Sequence, residues 1–243
     1  MGYKITPPPV TVSGGGYMLD GVALMRVTSI VDVLDKPGLV WWSADMAGKH
    51  IAETLKPGTA LTEDEIAKLA YDATRAHKAA KDMAADKGGL AHEWIEAYLL
   101  GRKPAMPKDP QVANSVDLFL SWQTDHSVEW LAVEMKIGDS KLGIGGKLDA
   151  IAVVDGDLTL VDHKTGKGVY EGAYLQTAAY AKMAQPCVYG GALMNRLVLH
   201  LPREGGLNAI WLKTDLEDDW KGFLACLNLV NWRTYFKAVT GAR

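Results

Sequence analysis

Gly145-Gly146-Lys147-Leu148-Asp149-Ala150-Ile151-Ala152-Val153-Val154-Asp155-Gly156-Asp157-Leu158-Thr159-Leu160-Val161-Asp162-His163-Lys164 is the stretch whose reading decides the fold. Asp155-Gly156 lies between two β-branched, apolar runs. A two-residue type I′ turn needs positive φ at both central positions, which Asp-Gly supplies, so the pattern predicts a hairpin. With Asp155 and Gly156 as the central pair, Val154 faces Asp157, Val153 faces Leu158, Ile151 faces Leu160 and Asp149 faces Asp162. Side chains alternate with period two, so Asp149, Ile151 and Val153 share a face with Leu158, Leu160, Asp162 and Lys164. Two carboxylates directly across a strand pair stand roughly 5 Å apart and repel. A bound divalent cation gives a reason for placing them there, with a lysine beside it.

The rest of that face is apolar and should turn toward the core, where charges are costly unless paired or metal-bound. A plain Asp162–Lys164 ion pair is the simplest structural explanation, and it leaves one carboxylate over. Two helical pairs add to the constellation. Gln176 and Tyr180, four apart on the next predicted helix, share one helix face, as do His92 and Glu96. His163 alternates away from Asp162, so its backbone carbonyl, not its ring, is expected near the metal. His50, His77, His126 and His200 have no comparable company and read as structural.

Working outward, the second half alternates strands and helices. Strands are predicted over 128–137, 144–154, 158–164, 193–201 and 207–214, with helices over 174–184 and 216–238. The first half reads as helical. Short helices are predicted near 28–34 and 39–55. A Thr62-Glu63-Asp64-Glu65 capping box opens a helix toward Asp86, and Gly88-Gly89 interrupts or turns it before 90–100. Gln111 to Asp125 carries Val112, Val116, Phe119 and Leu120 on one stripe. Met1 to Gly16, with Pro7-Pro8-Pro9 and Gly14-Gly15-Gly16, reads as a loose lead-in. The expected architecture is α/β: a central mixed sheet flanked by helices, with a helical N-terminal half. The whole of 1–243 reads as one domain, with 1–127 the helical part carrying His92 and 128–243 the α/β core.

Composition bounds the function. At 243 residues, 48% hydrophobic and 23% charged, the chain has ordinary soluble globular material for one sizeable core. No apolar run approaches a membrane span of ~18 residues, and Met1 to Val10 lacks a signal-peptide pattern. The two cysteines, Cys187 and Cys226, have neither the number nor the spacing for a disulfide framework, a zinc site or an iron–sulfur cluster. A reducing cytoplasm is the natural compartment. With a net charge of −3 the molecule as a whole does not attract polyanions. Nucleic-acid binding therefore rests on a local basic groove or on metal bridging to phosphate.

Gly-x-x-Asp, about a dozen residues, Asp-x-Lys-Thr-Gly and then Gln-x-x-x-Tyr on a helix resembles the PD-(D/E)XK nuclease superfamily. The branch it is most similar to is the RecB-like one, with phage recombination exonucleases and CRISPR-adaptation nucleases. The matching stretch is Gly146 to Tyr180, and the family's upstream helical histidine falls on His92 in Ala91-His92-Glu93-Trp94-Ile95-Glu96. Asp162 stands where many members have Glu. Members with an iron–sulfur cluster need four cysteines, so only the cluster-free ones are similar.

The resemblance implies a restriction-endonuclease-like core and metal-dependent phosphodiester hydrolysis of DNA. It assigns Asp149, Asp162, Lys164, Gln176 and Tyr180 to catalysis, and His92, Asp149, Asp162 and the His163 carbonyl to a Mg²⁺ or Mn²⁺ ion. Carboxylates are hard oxygen ligands suited to either ion, and an imidazole biases the site toward Mn²⁺. Glu134, on the preceding strand, is a further candidate near a second metal. Lys136, Lys141, Lys147 and Lys167 are expected to line a phosphate track, and Trp41, Trp42 and Trp94 to stack bases. The size, without a target-recognition module, favours an exonuclease of DNA ends in recombination, repair or replication, with partner proteins from those processes. The alanine- and glycine-rich composition suits a bacteriophage gene. The alternative is a non-catalytic nucleic-acid-binding or scaffolding subunit. A hydrolase of small phosphoesters is disfavoured by the lack of a glycine-rich phosphate loop.

Overall fold

The computed structural model describes residues 3–212 and 214–241. The chain divides into two compact units, 1–34 with 90–243 and 35–89.

The larger unit is built on an eight-stranded mixed sheet. Its strands are β1 (Thr11–Ser13), β2 (Gly16–Leu19), β3 (Val22–Arg26), β4 (Val128–Asp139), β5 (Ile144–Val154), β6 (Asp157–Lys164), β7 (Asn195–His200) and β8 (Asn208–Trp211). The order is β1-β2-β3-β5-β6-β7-β8, with β4 also paired to β5. Asp155 and Gly156 have φ of 51° and 99°, and the β5–β6 register runs Val154↔Asp157 to Ala150↔Val161, as counted from the turn. His126 and the Ser127 N–H both hold the Asp155 carboxylate, at 2.6 and 2.9 Å.

Helices cover both faces of this sheet. Ile137, Ile144, Leu148, Ile151, Leu158 and Leu160 pack with Ile30 of α1 (Val27–Val31), Ala179, Tyr180 and Met183 of α5 (Glu171–Ala184), and Phe223 and Leu227 of α6 (Leu216–Thr240). On the other face Ala150, Ala152, Val154, Val161, Leu197 and Leu199 pack with Trp94 and Ile95 from the end of α3 (Glu63–Leu99), and with Val116, Phe119 and Trp122 of α4 (Pro110–Asp125). The stripe read from 111–125 thus faces a sheet, and the Asp109 carboxylate caps α4 by accepting from the Gln111 and Val112 N–H groups. Arg196 is buried on β7, bonding the Tyr174 carbonyl of α5 at 3.1 Å and the Asp219 carboxylate of α6 at 2.8 Å. It ties three elements behind the site.

Two expectations are corrected here. Residues 3–16 are not a loose lead-in: they supply β1 and the start of β2, with Gly14 and Gly15 at φ 57° and 78° making the turn; Met1 and Gly2 lie outside the described residues. Ile5 bridges to Val188, and the Thr6 N–H donates to the Cys187 carbonyl at 2.9 Å. Gly88-Gly89 does not break the helix either, since α3 is continuous over 37 residues. Each glycine costs only about 1 kcal/mol relative to alanine and keeps its N–H, unlike proline.

The second unit, 35–89, holds α2 (Pro37–Thr54) and the first part of α3. The capping box forms as read: the Glu65 carboxylate accepts from the Thr62 N–H at 2.8 Å. Trp42 meets His77 edge-on at 6.4 Å. None of the described α2 side chains is fully buried. Among the described residues no helix is long and apolar enough to cross a membrane.

Candidate active site and metal centre

The site forms where two strands part. The printed ladder between β5 and β6 ends at Ala150↔Val161, one residue short of the expected Asp149/Asp162 pair. From Asp162 on, β6 runs only with β7 (Asp162↔Val198, His163↔Leu199, Lys164↔His200). The His163 N–H donates instead to the Asp149 Oδ2, at 2.7 Å. On the other edge of β5 the register brackets Asp149 between Val133↔Ala150 and Met135↔Leu148, and Glu134, opposite it, has φ 50°. Asp149 is thus released from regular pairing on both sides, so its carboxylate reaches groups that a flat sheet would keep apart.

One set of groups lies on the α5 face. Lys164 Nζ stands 2.9 and 2.7 Å from the two Asp162 oxygens and donates to Gln176 Oε1 at 3.2 Å. Gln176 in turn is hydrogen-bonded to the Tyr180 hydroxyl. Burial and the Asp149 charge push the Asp162 pKa up, against the pull of Lys164. Burial works against the Lys164 ammonium, but Asp162 and Asp149 together outweigh it and hold it charged. Burial, then Asp162 and Asp149, also raise the Tyr180 pKa, keeping the phenol neutral. The ion pair that structure alone explains is therefore present, and Asp149 is the carboxylate left over.

The second set surrounds Asp149. His92 Nδ1 and His163 Nδ1 stand 3.8 and 3.7 Å from its Oδ2. Donor atoms of His92, Asp149 and His163 all lie within 4.8 Å of one another. His92 comes from α3 and is half-buried; the His163 side chain is only 4% exposed, its ring edge-on to Phe119 at 5.6 Å and 90°. Burial, then the neighbouring His92, pushes the His163 pKa down to about 3, so this ring is neutral at physiological pH.

These residues fit a divalent ion. Ligands held at about 2.1 Å from one ion lie roughly 3–4 Å apart, which the two 3.7–3.8 Å contacts satisfy. Two buried polar atoms, Asp162 Oδ2 and His163 Nε2, also lack a well-directed hydrogen bond, and a site that leaves buried polar groups short calls for a ligand. Asp162 itself is engaged by Lys164 and lies outside the three-residue cluster.

Several other expectations meet the geometry differently. The His163 ring, expected to point away, stands at the cluster. The Glu134 carboxylate is paired with Lys147. Trp94 is a core residue, stacked on Tyr98 with its indole N–H donating to the Ala105 carbonyl at 2.9 Å, so it offers no face to a base. Trp41 is exposed. Lys136, Lys141 and Lys167 are exposed, as a phosphate track requires. His200 is buried on β7, and its Nε2 lies 2.8 Å from the Gly166 carbonyl. It steadies the turn after Lys164, which only its register opposite Lys164 reveals.

Gly146 carries a packing constraint: a Cβ there would stand 2.7 Å from the Tyr180 hydroxyl oxygen. Gly146→Ala is expected to destabilise the fold by ~1–3 kcal/mol, a typical overpacking cost. Urea unfolding measures this, and Tyr180→Phe in the same chain should recover part of the loss.

The sequence profile of the PD-(D/E)XK nuclease superfamily matches residues 62–196, more than half of the chain and the segment that contains every group of this site. The chain belongs to that superfamily. No curated protein sequence matches it.

Proposed function

We propose that the chain is a divalent-metal-dependent deoxyribonuclease, most similar to the RecB-like branch, that acts as an exonuclease on DNA ends in recombination, repair or replication. The observation that carries this reading is the Asp162–Lys164–Gln176 chain of contacts beside the Asp149 cluster. We read 1–243 as one nuclease domain; the family match, which begins at the start of α3 and ends in β7, supports this.

His92 and Asp149 would hold a Mg²⁺ or Mn²⁺ ion, with His163 and Asp162 completing the set. An ion held there would supply Lewis-acid polarisation of the phosphodiester and a lowered pKa for a water molecule. The chain's own part is electrostatic. Lys164, kept protonated by Asp162 and Asp149, stabilises negative charge developing on the phosphate. Asp162 and Gln176 aim its ammonium group, while Tyr180 is a positioning residue that fixes Gln176 from within the core.

Linear end-labelled DNA and covalently closed circles, single- and double-stranded, distinguish the modes of attack. In Mn²⁺ the linear forms should be shortened from their ends and the circles left intact. Circles cut as fast as linear DNA would make the enzyme an endonuclease.

A further inference from the structure

We infer that the C-terminal half of α6 is a docking platform for single-stranded DNA, a ladder of exposed aromatic rings bordered by two cations on which unpaired bases stack. The inference rests on the nuclease reading for the nature of the strand, and the platform lies outside the metal centre.

The helix carries two apolar stripes. Phe223, Cys226 and Leu227 are buried in the core, and from there α6 continues to Thr240 with every residue from 231 on exposed. At about 100° per residue, Leu229, Trp232, Tyr235, Phe236 and Val239 fall on one arc, roughly opposite that of Phe223, Cys226 and Leu227. All five are exposed. They are therefore not the core stripe running on but a second one, turned to solvent. Single exposed apolar residues are ordinary, whereas a contiguous set with three aromatics marks a binding surface. Trp232 and Phe236 stack on each other at 5.4 Å and 24°, and Tyr235 stands beside them, 65% exposed.

Charge and position set the occupant. From Trp220 to Arg243 the chain has four basic residues and no Asp or Glu, although the whole molecule carries −3. Arg233 and Lys237, four apart and both exposed, border the aromatic arc on one side. Rings beside cations are what a single strand needs: its bases stack while its phosphates are neutralised. A two-fold contact between copies would present this patch to itself, which offers the cations no acidic counterpart. The position suits the substrate of the active site. α6 runs antiparallel to α5: Lys182 pairs with Glu217, and further on Gly222 lies against Leu175, where a Cβ would stand 3.0 Å away. Leu175 precedes Gln176, which bonds Lys164. At 1.5 Å per residue, Trp232 lies about 15 Å along the helix beyond Gly222, past the start of α5. A few nucleotides of strand cover that distance.

The test is fluorescence anisotropy of the full chain in Ca²⁺ with a labelled thymidine oligomer of about 20 nucleotides, long enough to span the platform. Trp232→Ala combined with Phe236→Ala should weaken binding by ~10-fold or more, a usual loss for two stacked bases. A blunt duplex of equal length, whose bases are already stacked, should lose far less. Arg233→Gln combined with Lys237→Gln should flatten the slope of log affinity against log salt by about 1.4, two phosphate contacts on a single strand. These side chains are exposed, so both variants should keep the wild-type melting temperature and the wild-type cleavage rate at saturating DNA. Undiminished oligomer affinity in the aromatic variant, an equal loss on the duplex, or an unchanged salt slope overturns the inference. A wild-type dimer that the aromatic variant dissociates without losing the oligomer gives the face to a second copy instead. Should the aromatic variant not fold, the salt slope of the charge variant decides alone. A wild type that holds the oligomer through these residues yet cleaves no DNA keeps the platform and overturns the nuclease reading; cleavage by a wild type whose variants all bind normally does the reverse.

Discussion

Asp149→Asn is expected to lower DNA cleavage by ~10³-fold or more, several kcal/mol of lost transition-state stabilisation from a displaced metal ion. EDTA should do the same to the wild type. Asparagine is isosteric, and its amide oxygen can still accept the His163 N–H now bound at 2.7 Å, so the strand junction should survive. The apo variant should be no less stable than the wild type, because Asp149 is one of the charges that push the buried Asp162 pKa up. The metal response separates the two proteins further. An ion bound only by the native state stabilises it by about 2.7 kcal/mol at a hundredfold excess over Kd, so millimolar Mn²⁺ should raise the wild-type melting temperature and leave Asp149→Asn nearly unmoved. Cleavage that persists in EDTA, or an equal thermal shift in both proteins, would remove Asp149 from the metal centre.

The hairpin was legible because its turn is local. Asp155-Gly156 dictates positive φ, and period two carries the register outward until something interrupts it. The interruption is what sequence reasoning lacks: the counted pairing holds to Ala150↔Val161, but nothing in the residue types says that β5 and β6 separate at the next step. That separation turns a repulsive cross-strand pair into two differently engaged carboxylates, Asp162 on Lys164 and Asp149 toward His92 and His163. The His163 ring escaped the reading for the same reason. Alternation places it on the face opposite Asp162, correctly, as its contact with Phe119 shows; but Asp149, freed from the ladder, reaches it across the gap.

The N-terminal strands are a different case. Asp20-Gly21 has φ of 53° and 77° and closes β2–β3 at Leu19↔Val22, the same dipeptide device as Asp155-Gly156. The flanking strands are only four and five residues long, too short for alternation to stand out beside a proline-rich and a glycine-rich run. Trp94 illustrates tertiary context: in sequence it is a tryptophan beside the site histidine, and only the packing of α3 on the sheet assigns it to the core.

Lys164→Ala is expected to slow cleavage in Mn²⁺ by at least ~100-fold, a usual cost for removing one electrostatic donor from a transition state. DNA binding in Ca²⁺ should stay close to wild type, because an interaction made mainly in the transition state lowers kcat far more than ground-state affinity. The structure shows Lys164 paired with Asp162, the proposed function adds a task at the phosphate, and the experiment has to part the two. Its ammonium is the partner of a buried carboxylate, so its loss leaves Asp162 unpaired and lowers stability. Burial already raises the Asp162 pKa, so in the variant that carboxyl takes up a proton, which limits the cost and makes the variant's stability fall as pH rises through the raised pKa. Cleavage behaves otherwise: if Lys164 acts on the phosphate, conditions that restore the variant's stability do not restore its rate. Measuring melting temperature and cleavage on the same samples at two pH values separates the roles. Wild-type cleavage by Lys164→Ala would leave the lysine only its ion pair, and a wild-type protein that binds DNA yet cleaves no form of it would make the chain a scaffold that retains the nuclease fold.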